Sequence, residues 1–158
     1  MGKNIGSALK NSKTLHHVKH SLVRLFKDTK KKNSIEKIGY VAGIITSGGP
    51  EYFKANRRRL ADYVGKLRKI HNFPMFSAID VFTSEVYERL EEWKLPFSER
   101  EVKARSFWRK ILKSGHVTDI FMTPRFKKSK GASDEHKTAK EIGLTIHYMN
   151  EDKKTKNK

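Results

Sequence analysis

The chain has 158 residues, which is the size of a single domain. It contains no cysteine, so disulfide bonds, thiol nucleophiles and thiolate metal sites are excluded, and no apolar run approaches the roughly 18 residues that a membrane-spanning helix needs. Lys and Arg outnumber Asp and Glu by 35 to 17, a formal net charge of +18. Because its first residues also lack an apolar stretch long enough for a secretory signal, the sequence predicts a soluble cytoplasmic protein without a membrane span.

Much of the positive charge lies near the two ends. Residues 1–33 carry nine basic residues and one acid, and residues 152–158 carry four lysines and one aspartate. We therefore predict a basic N-terminal arm over 1–33, one folded domain over 34–151 and a basic tail over 152–158. Such ends increase the rate of encounter with polyanions, which predicts weak nucleic-acid contact; the alternative is that they only keep the chain soluble.

Within the arm, residues 14–27 have apolar side chains at helical spacing: Leu15, Val18, Leu22, Leu25 and Phe26. They predict a short amphipathic helix that docks on the domain, on a partner or on an anionic surface. Three histidines lie on it, His16, His17 and His20, but no further ligand is near in sequence, so surface histidines are expected rather than a metal site. The core is expected to begin after a linker at Lys30–Lys32.

Strand and helix patterns then alternate. The apolar, β-branched run 37–45 predicts a strand covered on both faces, and a glycine-rich turn follows at 46–50. Helical spacing covers 51–70, a second strand covers 73–82, and a short helix over 84–95 ends at Pro96. Ser98 and Glu101 predict a capping box for a helix that runs to Gly115.

The last third of the chain repeats this alternation. Residues 116–124 predict a strand, 125–133 a polar loop, 134–142 a helix closed by Gly143, and 144–149 a final buried strand. The alternation predicts an α/β three-layer sandwich with a mainly parallel, Rossmann- or flavodoxin-like sheet. Ligands of such folds bind beyond the carboxyl ends of the strands, where loops 46–50 and 125–133 both lie.

Two segments carry a resemblance to a known family. They are Y-V-A-G-I-I-T-S-G-G at residues 40–49 and D-I-F-M-T-P-R-F-K-K-S-K-G-A-S-D-E-H-K-T-A at residues 119–139. The first segment resembles the opening strand and loop of the nucleoside 2-deoxyribosyltransferase superfamily. The second resembles a later strand of that superfamily, the Ser-x-Gly loop after it and the helix that follows. The likeness spans roughly residues 38–148 and is closest to the 2'-deoxynucleoside 5'-phosphate N-hydrolases.

The resemblance implies hydrolysis or transfer of the N-glycosidic bond of a nucleotide or nucleoside, in which a carboxylate faces the anomeric carbon of the sugar. It implies that Glu135 is the nucleophile, in the first turn of a helix, and that Tyr40 orients its carboxylate. Substrate-binding residues are implied at Gly43, Gly48, Gly49, Asp119, Ser129 and Gly131. The chemistry needs no metal or cofactor. The family often builds its pocket across a dimer interface, so the resemblance also implies a homo-oligomer such as a homodimer. The alternative is that neither residue is catalytic. In that case Glu135 complements a helix dipole and Tyr40 packs in the core.

Two features depart from the family pattern. The family has a further carboxylate eight residues before the strand aspartate, where this chain has Ile111, and residues 103–118 contain no acid. Either Asp80, Glu99 or Glu101 supplies that carboxylate from another loop, or the two-carboxylate mechanism is lost. The loop after Thr46 also lacks the family's arginine. Two other functions therefore stay open: a module that binds nucleotides without turnover, and a basic nucleic-acid-associated protein.

Overall fold

A computed structural model of the chain describes residues 1–151, and the predicted basic tail lies outside the described residues. Four parallel strands lie between layers of helix, as the alternating pattern predicts. The strands are β1 (Gly39–Ala42), β2 (Met75–Ser77), β3 (Asp119–Met122) and β4 (Thr145–Tyr148). The α-helices are α1 (Gly2–Ala8), α2 (Leu15–Asn33), α3 (Phe53–Ile70), α4 (Ala78–Val81), α5 (Ser84–Arg89), α6 (Phe97–Leu112) and α7 (Lys130–Ile142). Short 3-10 turns cover Pro50–Tyr52, Glu91–Lys94 and Phe126–Lys128.

The strands lie in the order β2-β1-β3-β4, and every neighbouring pair is parallel. Gly39 at the start of β1 is opposite Met75 and Asp119, and Asp119 is opposite Thr145. All four strands therefore begin at one edge of the sheet and end at the other. The loops that follow β1 and β3 leave from the same carboxyl edge.

Helices cover both faces of the central strand β1, which is buried over its whole length. Val41 packs with Phe121 against α3. On the opposite face, Tyr40 and Ala42 belong to a larger cluster with apolar residues of α2, α6 and α7. This burial on two sides explains why β1 lies in a continuous apolar run rather than in an alternating one.

The N-terminal helices belong to the larger of these two clusters. The buried face of α2 consists of Leu15, Val18, Leu22 and Phe26. Ile5 of α1 and Leu9 just after it are fully buried in the same cluster. Thr14 caps α2 by accepting a hydrogen bond from the backbone N–H of His17 at 3.1 Å.

The prediction that the core begins only after a linker at Lys30–Lys32 is therefore wrong, because these lysines form the last turn of α2. The helical repeat turns basic side chains away from the apolar face, so the number of charges in the segment does not decide whether it is buried. Lysines in a last turn also complement the negative end of the helix dipole, which favours continuation of the helix to Asn33.

Two further predictions need correction. No side chain caps α6, which follows Pro96 and begins at Phe97, so the predicted capping box of Ser98 and Glu101 does not form. The helix begins two residues earlier than a Ser98 cap requires, so Ser98 lies inside the first turn instead of adopting the extended backbone of a cap. The last strand, β4, is exposed at Thr145 and Tyr148 and half-buried between them, because it lies at the edge of the sheet.

The two longest helices are α2 with 19 residues and α3 with 18, and both are amphipathic. Among residues 1–151, no helix combines the length and the apolar character that crossing a membrane requires.

Candidate active site

The helix that carries Glu135 begins earlier than the sequence predicts. Ser129 is the N-cap of α7, and its hydroxyl accepts a hydrogen bond from the backbone N–H of Ala132 at 3.1 Å. The helix therefore starts at Lys130 instead of Asp134, and Glu135 lies in the second turn rather than the first. At that position its side chain shares the buried face of α7 with Ala132, Thr138 and Ala139. The dipole of a helix N-terminus is strongest within the first turn, so it does not explain this glutamate.

Tyr40 and Glu135 are in direct contact inside the protein. The Tyr40 hydroxyl donates a hydrogen bond to Glu135 Oε1 at 3.1 Å, and the two residues are 1% and 7% exposed. The Tyr40 ring stacks on Trp108 with 4.9 Å between ring centroids and packs against Phe76 at 5.2 Å. Aromatic rings on α6 and β2 therefore fix the tyrosine, and the tyrosine fixes the carboxyl group.

The surroundings of this pair favour the neutral form of both groups. Burial raises the pKa of Glu135 to about 8, since the hydrogen bond from Tyr40 only partly opposes burial, and the neighbouring Asp134 adds to the rise. Burial and the proximity of Glu135 raise the pKa of Tyr40 well above its ordinary value. At neutral pH Glu135 therefore holds its proton most of the time.

The glycine-rich turn and the loop before α7 meet at the carboxyl edge of the sheet. The Ser47 hydroxyl donates a hydrogen bond to the Lys128 carbonyl at 3.0 Å. Asn56 of α3 holds the turn from the other side, because its amide donates to the carbonyls of Ile45 and Ser47, each at 3.0 Å. The convergence of the two loops, expected from the sequence, is present in the fold.

Gly48 and Gly49 both have backbone angles that favour glycine, with φ values of +94° and +99°. A Cβ atom on Gly48 would also lie 3.0 Å from the Tyr52 ring, which covers this turn and is 54% exposed. The structure thus explains both glycines by the shape of the turn. A role in substrate binding remains an implication of the family resemblance.

Gly43 and Gly131 differ in the space around them. A Cβ atom on Gly43 would lie 2.6 Å from Thr123 Oγ1, so this glycine allows the ends of β1 and β3 to pack closely. Gly131 lies in the first turn of α7, and a Cβ atom there would meet only Ser129 Oγ, at 3.8 Å. Close packing accounts for Gly43, whereas nothing around Gly131 requires a glycine.

The structure does not bring Asp119 together with these residues. Asp119 begins β3, so it lies at the amino edge of the sheet, opposite the edge that carries the two loops. Its carboxylate accepts a hydrogen bond from the Thr118 hydroxyl at 2.6 Å and contacts His147 Nε2 at 2.8 Å. Burial alone would raise the pKa of Asp119, but the contacts with Thr118 and His147, together with the positive charge of Lys37, outweigh it and the pKa is lowered. Asp119 thus joins β3 to β4.

None of the acids considered for the second carboxylate has a described contact with Glu135. Ile111 is fully buried in the core. Asp80 is held by the backbone N–H of Ser77 at 2.8 Å and by Arg68 at 3.1 Å. Glu99 lies exposed in the first turn of α6, and Glu101 follows it in the same helix.

The neighbouring acid Asp134 adds to the rise in the pKa of Glu135. The sequence motifs did not identify Asp134 as a site residue. Arg109 of α6 binds Asp134 through two nitrogens, with Nε at 2.9 Å from Oδ2.

The sequence motifs also did not identify Asn56, although its position in the helical pattern is a signal. It lies one turn before Leu60, so it is a polar residue on the apolar face of a helix, and such a residue needs a buried partner.

Within residues 1–151, no group of three or more His, Asp or Glu side chains has an arrangement that could hold a metal ion. His16 and His20 contact each other edge-to-face, with 4.3 Å between ring centroids.

Comparison of the chain with protein-family models, with curated proteins and with solved structures finds no match.

Proposed function

We propose that the protein hydrolyses or transfers the N-glycosidic bond of a nucleotide or nucleoside, with Glu135 as nucleophile and Tyr40 as the residue that positions it. The observation that carries this proposal is the buried hydrogen bond between the Tyr40 hydroxyl and Glu135 Oε1. These residues are 95 positions apart, and the family resemblance alone paired them. Glu135 belongs to the helix that follows one of the two loops at the carboxyl edge of the sheet, and folds of this kind bind ligands beyond that edge.

In the proposed reaction, the ionised Glu135 attacks the anomeric carbon through Oε2, since Oε1 accepts the bond from Tyr40. A bond forms between Oε2 and the sugar, the bond from the sugar to the base breaks, and the departing nitrogen takes a proton from solvent. Water, or a second base in a transfer reaction, then attacks the same carbon and releases the carboxylate. The tyrosine stays protonated throughout, which agrees with its raised pKa.

Substrate must reach a side chain that is only 7% exposed. The hydrogen bond between the Ser47 hydroxyl and the Lys128 carbonyl joins the two loops at the carboxyl edge of the sheet, and we propose that its opening admits the ligand. Both loops carry residues with intermediate or high exposure, so this contact costs little to break.

The proposal predicts that Glu135→Gln abolishes the release of free base. Chromatography measures this release with a panel of nucleosides and nucleoside 5'-monophosphates as substrates. It also predicts a pH profile. Because the pKa of Glu135 is about 8, the nucleophilic form increases as the pH rises through that value, so kcat/KM should increase between pH 6.5 and 9. Glu141→Gln, an exposed substitution on the same helix, is the matched control and should keep full activity.

Absence of free base with the unaltered protein across the whole panel would refute hydrolysis. Activity that instead falls as the pH rises through 8 would reject the nucleophile role, because it would assign Glu135 as a general acid that must keep its proton.

A second candidate is a module that binds nucleotides without turnover. Three observations favour it: Glu135 is largely protonated at neutral pH, Arg109 already holds Asp134, and Arg68 already holds Asp80. Thermal-shift measurements with the same panel separate the two functions, because a module gains stability from a nucleotide and yields no product.

A homodimer and a cytoplasmic location are also part of the enzymatic proposal. Gel filtration with light scattering tests whether the protein is a homodimer.

A further inference from the structure

The side of α2 that faces solvent consists almost entirely of basic residues and histidines. Nine of the 19 residues of this helix are exposed, and two of them are Asp28 and Asn33. We define the basic face of α2 as the other seven, which are His16, His17, His20, Arg24, Lys27, Lys31 and Lys32. The apolar residues of α2 lie on its opposite side, in the core of the domain.

The helical repeat aligns these side chains along the helix. At about 100° per residue, positions 16, 20, 24, 27 and 31 fall within an arc of about 80° around the helix axis. At 1.5 Å per residue they extend over about 22 Å. The rings of His16 and His20 are in contact, with 4.3 Å between their centroids. The basic face is therefore a continuous strip rather than a set of scattered charges.

Little negative charge balances this strip. Four Lys or Arg side chains and the single acid Asp28 give the exposed residues of α2 a net charge of +3, and protonation of the three histidines raises it to +6. Across residues 1–151, none of the side chains of the basic face forms an ion pair with an acid. An exposed, unpaired strip of one sign attracts an extended polyanion.

The neighbours of the histidines favour their neutral form in the free protein. The pKa of His16 is lowered first by the proximity of His20, then by partial desolvation, and then by further positive charges nearby, which are those of Lys19, His17 and Lys110. The acid Glu92 packs at the start of α2, where its carboxylate accepts a hydrogen bond from the Leu15 N–H. An anion bound along the strip would oppose the lowering, because negative charge favours the protonated imidazole.

We propose that the basic face of α2 binds the phosphate backbone of a nucleic-acid duplex and that its histidines take up protons when it binds. A strip of about 22 Å follows about six base pairs of a duplex. The basic face has no Phe, Tyr or Trp on which unpaired bases could stack, which favours a duplex over a single strand. The inference does not depend on the proposed hydrolysis.

The packing of α2 also favours nucleic acid over an anionic membrane. A helix that binds at a lipid surface inserts an apolar face between the headgroups. Leu15, Val18, Leu22 and Phe26 are already buried in the core, so α2 has no such face to offer.

Fluorescence anisotropy with a labelled DNA duplex, measured across a salt series at pH 8 and at pH 5.5, tests the proposal. Each histidine that becomes charged against a phosphate releases a further counterion, so the slope of log K against log salt should steepen by about 2 at pH 5.5. Joint replacement of His16, His17 and His20 by Gln should abolish this steepening and change the affinity at pH 8 by less than about two-fold. Their replacement by Lys should give the steeper slope at both pH values, which covers the case in which the glutamine variant fails to fold.

Joint replacement of Lys54, Lys103 and Lys113 by Gln is the matched control, because these lysines are exposed outside α2. This variant should keep the change of slope between the two pH values. The proposal is overturned if the slope of the unaltered protein is the same at both pH values, or if the glutamine variant of the histidines keeps the change. Tighter binding to vesicles of phosphatidylserine and phosphatidylcholine than to the duplex would assign the basic face to a membrane and would also overturn it.

Discussion

At the scale of single residues, Tyr40 and Glu135 form a polar pair within an apolar layer. An isolated ionised carboxylate is very costly to bury, and the protein reduces that cost by keeping Glu135 protonated and by donating one hydrogen bond to it. The same arrangement makes stability depend on the proton, because the pKa of Glu135 differs between the folded and unfolded states.

The unfolded chain releases the proton of Glu135 near pH 4.5, and the folded protein releases it near pH 8. Between these values the folded state binds more protons, so the free energy of unfolding falls as the pH rises through this interval and levels off above it. Glu135→Gln removes this dependence. Urea unfolding followed by tryptophan fluorescence should show the variant more stable than the unaltered protein by on the order of 2–4 kcal/mol at pH 8.5, with little difference at pH 4. Glu141→Gln should show no such change, and an equal difference at both pH values would contradict the prediction.

Residue-scale predictions from the sequence depend on what the pattern encodes. Gly143 has the left-handed backbone expected of a helix C-cap, because a glycine directly after a helical pattern is a local signal. The position of Asp119 at the amino edge of the sheet has no such local signal. The strand pattern 116–124 is longer than β3, and only the boundary of the strand decides which edge of the sheet the aspartate occupies.

At the scale of elements, α2 decides how the N-terminal third of the chain is organised. Its four buried residues contribute to the cluster that surrounds Tyr40. The apolar spacing predicts the helix but not the partner of its apolar face, since docking on the domain and docking on another molecule need the same pattern. The contact between α2 and α6 settles the choice in favour of the domain.

If α2 is part of the core, Leu22→Ala should lower the free energy of unfolding by about 2–5 kcal/mol, because it removes a fully buried side chain and leaves a cavity. Ile70→Ala is the control, since Ile70 is 75% exposed, and it should change stability by less than about 0.5 kcal/mol. Chemical denaturation measures both. A Leu22→Ala loss no larger than the Ile70→Ala loss would mean that α2 is not packed as described.

At the scale of the whole molecule, the net charge of +18 dominates long-range interactions. Part of it lies on the solvent-facing side of α2, where Lys27, Lys31 and Lys32 are exposed. Because these lysines belong to a folded helix, deletion of residues 1–33 would remove part of the core along with the charge. Substitutions are therefore the appropriate test of polyanion binding.

Binding to DNA or RNA, measured by fluorescence anisotropy across a salt series, should weaken steeply as the salt concentration rises. Replacement of Lys27, Lys31 and Lys32 by Gln should reduce the slope of log K against log salt by about 2–3. Lys54, Lys103 and Lys113 are exposed on other parts of the surface, and their joint replacement should have a smaller effect. Absent or salt-independent binding would exclude nucleic acid as a partner of the basic surface.

The packing of α2 against α6 has a consequence for biosynthesis. The ribosome completes α2 more than 60 residues before it begins α6, by the numbering of the two helices. Until α6 has been synthesised, the apolar leucines and phenylalanine of α2 lack the surface of α6 against which they pack. During that time they are exposed to chaperones and to other nascent chains. Slow translation between the two helices should therefore lower the yield of soluble product more than slow translation after residue 112.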